Sequence, residues 1–361
     1  AALVLAEALR RAPGVDASEV GDVVVGCAMP EREQGMNVAR IAALRAGLPA
    51  STPAVTVNRF CASGLEAIAV AAHRIWAGSA EVTLAGGVES MSLVPFDRSP
   101  MRPNPTLMRQ CPDVYLGMGL TGENLAAGWS ISREEADNFS LESHRKALDA
   151  IDSGRFREEI VAIQVERREV GANGELIAGS SQFETDECPR RETSLEALAA
   201  LKPVFCKDGA ITAGNSSQRS DGAAALMLMS LHKAEELGIE PLARFKAYST
   251  AGVPPEVMGI GPAYALPGLL RSAGIGMDAV KVVELNEAFA AQALAVMRAF
   301  PLAPADVNPN GGAVALGHPL GCTGARQAVT LVHELRRRGG GNGIVTMCVG
   351  GGMGAAGLFT V

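Results

Sequence analysis

Unbroken apolar runs and stretches of helical period alternate along the chain. Residues 1–11 read as an amphipathic helix, and "DVVVGC", Asp22–Cys27, as a buried strand. Asn37–Ala46 reads as a second helix. Ala54–Val57, after Pro53, reads as a short strand. From Cys61 to about Trp76, the residues Leu65, Ile68, Ala69, Ala72, Ile75 and Trp76 recur at helical spacing. The other face is mostly Ala and Val, so this helix is expected to be buried nearly all round. "VTLAGGVES", Val82–Ser90, is a strand ending in paired glycines. Such alternation marks an α/β layer. At about Ser92 the texture changes to Pro clusters and polar helices such as Arg133–Ser153, which reads as a long insertion or subdomain. Asp221–Ser230 returns to buried-strand character, and a second α/β stretch runs from about Leu242 to the end.

The second stretch echoes the first. "DVVVGC" near Val24 resembles "VKVVELN" near Val283. The Cys61 helix followed by Val82–Ser90 resembles a helix at Ala325–Arg338 followed by "GIVTMCVGGG". Ser63–Gly64 opens the first helix and Thr323–Gly324 the second. These landmarks keep one order and nearly constant spacing, which favours two halves of one duplicated fold over coincidence among Gly- and Val-rich segments. The domain reading is 1–91 with 221–241 as one half, 92–220 as the insertion, and 242–361 as the other half.

Composition narrows the function. With 361 residues and 48% hydrophobic content the chain affords a large core. A net charge of −7 argues against general nucleic-acid binding. No apolar run is long enough for a membrane span, and no secretory signal is seen. Seven cysteines without a C-x-x-C pair point to a reducing compartment. The five histidines give no metal-ligand spacing, so no metal is expected. The chain opens at Ala1 in a helical pattern, so a native start upstream is expected. The compartment expected is the bacterial cytoplasm, an organelle remaining open.

Four stretches carry candidate chemistry. Cys61 lies where a strand gives way to a helix, so the positive helix end is expected to lower its thiol pKa. "NEAFAAQ", Asn286–Gln292, follows a strand; Asn286 could fix a water or a carbonyl, or simply cap a helix. In "NGGAVALGHPLGCTG", Asn310–Gly324, His318 could take a cysteine proton or be a satisfied turn residue. Cys348 opens "CVGGGMG", whose N–H groups could form an anion nest. For both cysteines the plainer alternative is a small core side chain.

Together these stretches resemble the thiolases. "CASGLEAI" at Cys61, "NEAFA" at Asn286–Ala290, the GGAxAxGHPxGxTG segment at Gly311–Gly324 and the CxGGGxG tail at Cys348–Gly354 match that family over essentially the whole chain. "TAGNSSQRSDGAA", Thr212–Ala224, resembles its coenzyme A-arm segment. The resemblance implies two βαβαβαββ halves in a five-layered α-β-α-β-α body with a loop domain. It implies reversible Claisen chemistry on coenzyme A thioesters, with coenzyme A as substrate and no bound cofactor. Cys61 would be the nucleophile, Cys348 the acid and base, and His318 and Asn286 the polar pair. The amides of Cys61 and Gly350 would form a second oxyanion hole. Ser217, Lys202, Met118 and Phe289 are placed among the substrate contacts. A homodimer or homotetramer is implied.

Two departures bear on substrate. Short-chain biosynthetic thiolases commonly carry His-Met-Gly where this chain has Gly117-Met118-Gly119. That favours a 3-ketoacyl-CoA thiolase over an acetoacetyl-CoA-specific acetyltransferase. The strand that the family usually has before its first helix is absent, and the stretch between Pro95 and Tyr115 reads as shortened. Two rivals remain. A dehydrogenase is suggested by "GMGLTG", Gly117–Gly122, and "GMGAAG", Gly352–Gly357, but neither has the strand and helix the fingerprint needs. The other is a thiolase-like protein that binds acyl-CoA without turnover.

Overall fold

A computed structural model describes residues 1–95, 102–170, 173 and 175–361. Residues 96–101 of the shortened stretch lie outside them.

Two four-stranded sheets form the body. β1 (Val20–Gly26), β2 (Ala54–Val57), β3 (Val82–Ser90) and, after an intervening pair of strands, β6 (Asp221–Met229) make the first, in the order β2-β1-β3-β6. Its first three strands run parallel and β6 runs antiparallel to β3. The intervening hairpin is β4 (Ile163–Val170) with β5 (Leu176–Phe183), which the sequence reading did not foresee. β7 (Arg244–Gly252), β8 (Val280–Leu285), β9 (Asn342–Val349) and β10 (Met353–Thr360) make the second sheet, in the order β7-β10-β9-β8. There β8 and β9 are parallel and β10 is antiparallel. Thus β1, β3 and β6 correspond to β8, β9 and β10, the duplication that the echo implied.

The Ser63–Trp76 and Leu320–Arg337 helices pack on each other between the sheets. They share one apolar core with both: Leu65, Ile68, Leu331 and Leu335 from the helices, Val24 and Ala85 from the first sheet, Val345 and Met347 from the second. Helices Ala2–Arg10 and Val38–Arg45 cover the first sheet's outer face. Gly261–Ala273 and Ala290–Ala299 cover that of the second. This is the five-layer order. One expectation is corrected: Trp76 is 55% exposed, its ring stacked on Phe245 at the end of the helix.

The two central helices touch through glycine. A Cβ on Gly64 would lie 2.7 Å from the backbone N of Ala325, and one on Gly324 would lie 2.5 Å from that of Leu65. The paired openings found in the sequence therefore let the two helices approach backbone to backbone. Glu89, buried at the end of β3, closes the same junction. Its carboxylate accepts from Ala28 N–H and Gly321 N–H at 2.8 Å and from Gln34 Nε2 at 2.7 Å.

Candidate active site

The nucleophile candidate sits on a tight turn. Phe60–Ala62 forms one 3₁₀ turn between β2 and the Ser63–Trp76 helix. Phe60 adopts φ +43, an uncommon left-handed conformation for a non-glycine residue. Local hydrogen bonds hold it there. Ser63 Oγ accepts from Arg59 N–H at 2.9 Å and donates to the Phe60 carbonyl at 2.6 Å, while Asn58 Oδ1 accepts from Phe60 N–H. The turn packs against β9 and the Leu320–Arg337 helix, so it lies at the junction of the halves.

Cys61 is 8% exposed and Cys348 is fully buried. Burial pushes the Cys61 thiol up to about 12, while the N–H of Gly350 and its own N–H pull the other way. The expectation of a lowered thiol pKa is thus corrected for the resting site, where desolvation outweighs the helix end. Burial raises Cys348 as well, and the neighbouring Cys61 raises it further. The two sulfurs therefore share one low-dielectric space, with the Gly350 amide directed at the first.

His318 is held from both sides. It follows Gly317, whose φ of +89 suits glycine; a Cβ there would lie 2.0 Å from Ser220 Oγ. Thr323 Oγ1 donates to the Pro319 carbonyl at 3.0 Å, so it accepts from His318 Nδ1–H at 2.6 Å. The lone pair of Nε2 then faces Asn286 Nδ2 at 3.3 Å. Burial, with Arg326 second, lowers His318 to about 3, leaving a neutral imidazole whose Nε2 can accept a proton. Asn286 follows β8 and caps no helix; its N–H donates to the Thr346 carbonyl on β9. Its Oδ1 is buried with no hydrogen-bond partner among the described residues, which leaves an acceptor for a bound molecule. Glu287, next in sequence, accepts from Ser143 Oγ, Asn308 Nδ2 and Val314 N–H, and so fixes the loop that carries His318.

The remaining predicted residues divide. Phe289, 8% exposed, and Met118 pack with Ile211 and Met258 against Cys348. Half-buried Ser217 donates its N–H to the Ala288 carbonyl, which docks the 212–217 loop beside Phe289. Lys202 stands exposed, with no hydrogen bond or ion pair among the described residues, and nothing joins it to the two thiols. Sequence reasoning missed Thr323 as the histidine's partner. It also missed Phe205, which meets Phe289 edge to face at 6.2 Å and covers Gly119. Phe205 sits beside the singled-out Lys202; an aromatic next to a substrate-side residue was the available signal. A groove of about 1500 Å³ runs elsewhere, along β6 and the Ala2–Arg10 helix, and includes none of Cys61, His318 or Cys348.

The dehydrogenase reading fails on geometry. Gly352–Gly357 lies at the start of β10. Gly117–Gly122 follows a 3₁₀ turn at Pro112–Tyr115, not a strand.

Comparison with known proteins agrees with this architecture. Residues 1–232 match the family described as "Thiolase, N-terminal domain", and residues 239–361 match "Thiolase, C-terminal domain". The chain is 48% identical to the 3-ketoacyl-CoA thiolase of Bacillus subtilis, over 99% of this chain and 91% of that one. It is 46% identical to an acetyl-CoA acetyltransferase of Pseudomonas aeruginosa, over 95% and 88%. The structure of human mitochondrial 3-ketoacyl-CoA thiolase superposes with a TM-score of 0.89 at 38% identity, covering 100% of this chain and 91% of that one. Among the described residues no helix is long and apolar enough to cross a membrane. The chain belongs to the thiolase family and is an acyltransferase acting on coenzyme A thioesters.

Proposed function

We propose that this thiolase cleaves 3-ketoacyl-CoA to acetyl-CoA and a shortened acyl-CoA through an acyl-Cys61 intermediate, and runs the reverse condensation by the same steps. The observation that carries the reading is the meeting of the Cys61 sulfur with the Gly350 amide and the Cys348 thiol, at the junction of the halves. His318 Nε2 takes the Cys61 proton, and the thiolate attacks the 3-keto carbon. The C2–C3 bond breaks, its electron pair leaves as the acetyl-CoA enolate, and Cys348 gives that carbanion its proton. Cys348 then takes the proton of incoming coenzyme A, whose sulfur attacks the acyl-Cys61 carbonyl. Cys61 leaves as thiolate and recovers its proton from His318. The resting thiol needs this help, because a group at about 12 is rarely ionised near neutral pH.

His318 and a molecule bound at Asn286 Oδ1 meet the charge on the thioester oxygen of the enolate. The amides of Cys61 and Gly350 meet the negative charge that forms on the oxygen of the carbonyl that Cys61 attacks. Ser217 contacts the pantetheine arm, Met118 and Phe289 line the acyl side, and Lys202 serves the nucleotide end. We read residues 92–220 as the loop domain between 1–91, which 221–241 rejoins, and 242–361. A bacterial cytoplasmic homodimer or homotetramer fits the bacterial relatives.

Gly117 supports the 3-ketoacyl reading, since no histidine precedes Met118. The alternative, an acetoacetyl-CoA-specific acetyltransferase, predicts a different rate series. Thiolytic loss of the 3-ketoacyl-CoA enolate, followed over chain length, should continue beyond four carbons. Activity confined to acetoacetyl-CoA would favour the alternative; no turnover at any length would favour an acyl-CoA-binding protein.

A further inference from the structure

The polar face of the Leu320–Arg337 helix carries more charge than the proposed reaction uses. Thr323 and Arg326 lie one turn apart on it, and Glu284 and Asn286 lie two residues apart on one side of the β8 strand line. They make two rungs. In the first, Thr323 holds His318, which meets Asn286. In the second, Arg326 Nη1 approaches Glu284 Oε2 at 3.9 Å. A rise of about 4.5 Å along the helix and about 6.6 Å along the strand sets the second rung one step along from the first.

Glu284 is fully buried. Neither of its carboxylate oxygens has a hydrogen-bond partner among the described residues, nor has Nη1 or Nη2 of Arg326. A buried ion pair without supporting hydrogen bonds stabilises a fold poorly, so stability does not account for it. The cation behind His318 also works against proton transfer to Nε2.

Resting on the proposed role of His318, we infer that Glu284 is a positioning residue for the reaction: its carboxylate, 3.9 Å from Arg326, offsets that cation and so favours the charge His318 gains from Cys61. Water does little to solvate an imidazolium at a site 4% exposed, so a fixed anion one rung away favours that state. Burial raises the Glu284 carboxyl to about 8, and Arg326 pulls it down. Glu159, Glu287 and Glu334 face it too and favour its neutral form. The anion therefore forms as pH rises through that value, and its help to His318 grows with it.

The test compares the full-length wild type with Glu284→Gln, Glu284→Asp and Arg326→Lys. Alkylation of Cys61 by iodoacetamide is followed by peptide mapping, at pH values on both sides of about 8. The ratio of wild-type to Glu284→Gln rate should climb with pH, to about tenfold or more above that value. Arg326→Lys, which keeps the cation, should stay closer to wild type. Should Glu284→Gln fail to fold, Glu284→Asp should retain the climb in rate at reduced amplitude. A ratio that is flat with pH, or a Glu284→Asp profile without the climb, overturns the inference while leaving the thiolase mechanism standing. A wild-type Cys61 that is not alkylated at all overturns both.

Discussion

The hydrogen-bond direction at a single hydroxyl decides what His318 can do. Thr323 donates to Pro319, so it can only accept from Nδ1–H, and Nε2 is left as the base. Thr323→Val removes that acceptor and releases the tautomer; kcat should fall by about tenfold or more, with a smaller change in KM. The same burial has a cost in acid. His318 falls from 6.5 to about 3 on folding, so between those values the unfolded chain binds a proton that the native state refuses. Its contribution to stability is full above pH 6.5 and is lost as pH falls toward 3. His144, lowered to about 4 by burial, acts in the same direction. Urea midpoints across this range should drop more steeply for wild type than for His318→Asn; parallel slopes would contradict the assignment. The residue types of the site were legible in the sequence. The resting state of the Cys61 thiol was not, because burial depends on what the other half of the chain lays over it.

At the scale of elements, the two central helices owe their contact to the absence of two side chains. Gly324→Ala would press a methyl against the Leu65 backbone, and Gly64→Ala would do the same against Ala325. Backbone cannot step aside as a flexible side chain can. Each variant should therefore cost about 2 kcal/mol or more, read as a lower denaturant midpoint at unchanged slope. An alanine at Gly78, where a Cβ meets nothing within 4 Å but φ is +71, should act through backbone strain alone and serve as the comparison. Most strands and long helices announced themselves by period, and Val82–Ser90 was found to the residue. The β4–β5 hairpin was not, because "IQVERREV" is largely polar and lacks the apolar alternation that marks a strand. The Leu320–Arg337 helix begins five residues earlier than its apolar pattern suggested, since its first turn is built from small residues packed on the other half.

Across the whole molecule, the site exists because two similar halves meet. The first half supplies Cys61; the second supplies Asn286, His318 and Cys348. Glu89 ties them by accepting from Ala28, Gln34 and, across the junction, Gly321. Glu89→Gln would turn an N–H donor toward those donors. It should lower stability by about 2 kcal/mol and reduce activity together, as measured by unfolding and thiolysis on one preparation. The duplication could be read from repeated glycine, valine and strand landmarks, because both copies keep the residues that packing requires. The faces turned toward each other could not, because a contact between distant segments leaves no periodic trace in either.

The central claim is that Cys61 carries the acyl group and Cys348 moves the proton. Intact-mass analysis after brief exposure to an acyl-CoA, with peptide mapping of the adduct, tests it most directly. Wild type should carry the acyl mass on Cys61, Cys61→Ser should carry none, and Cys348→Ala should become acylated yet fail to clear the adduct with coenzyme A. Acylation of Cys61→Ser at the wild-type level, or normal clearance by Cys348→Ala, would contradict the account.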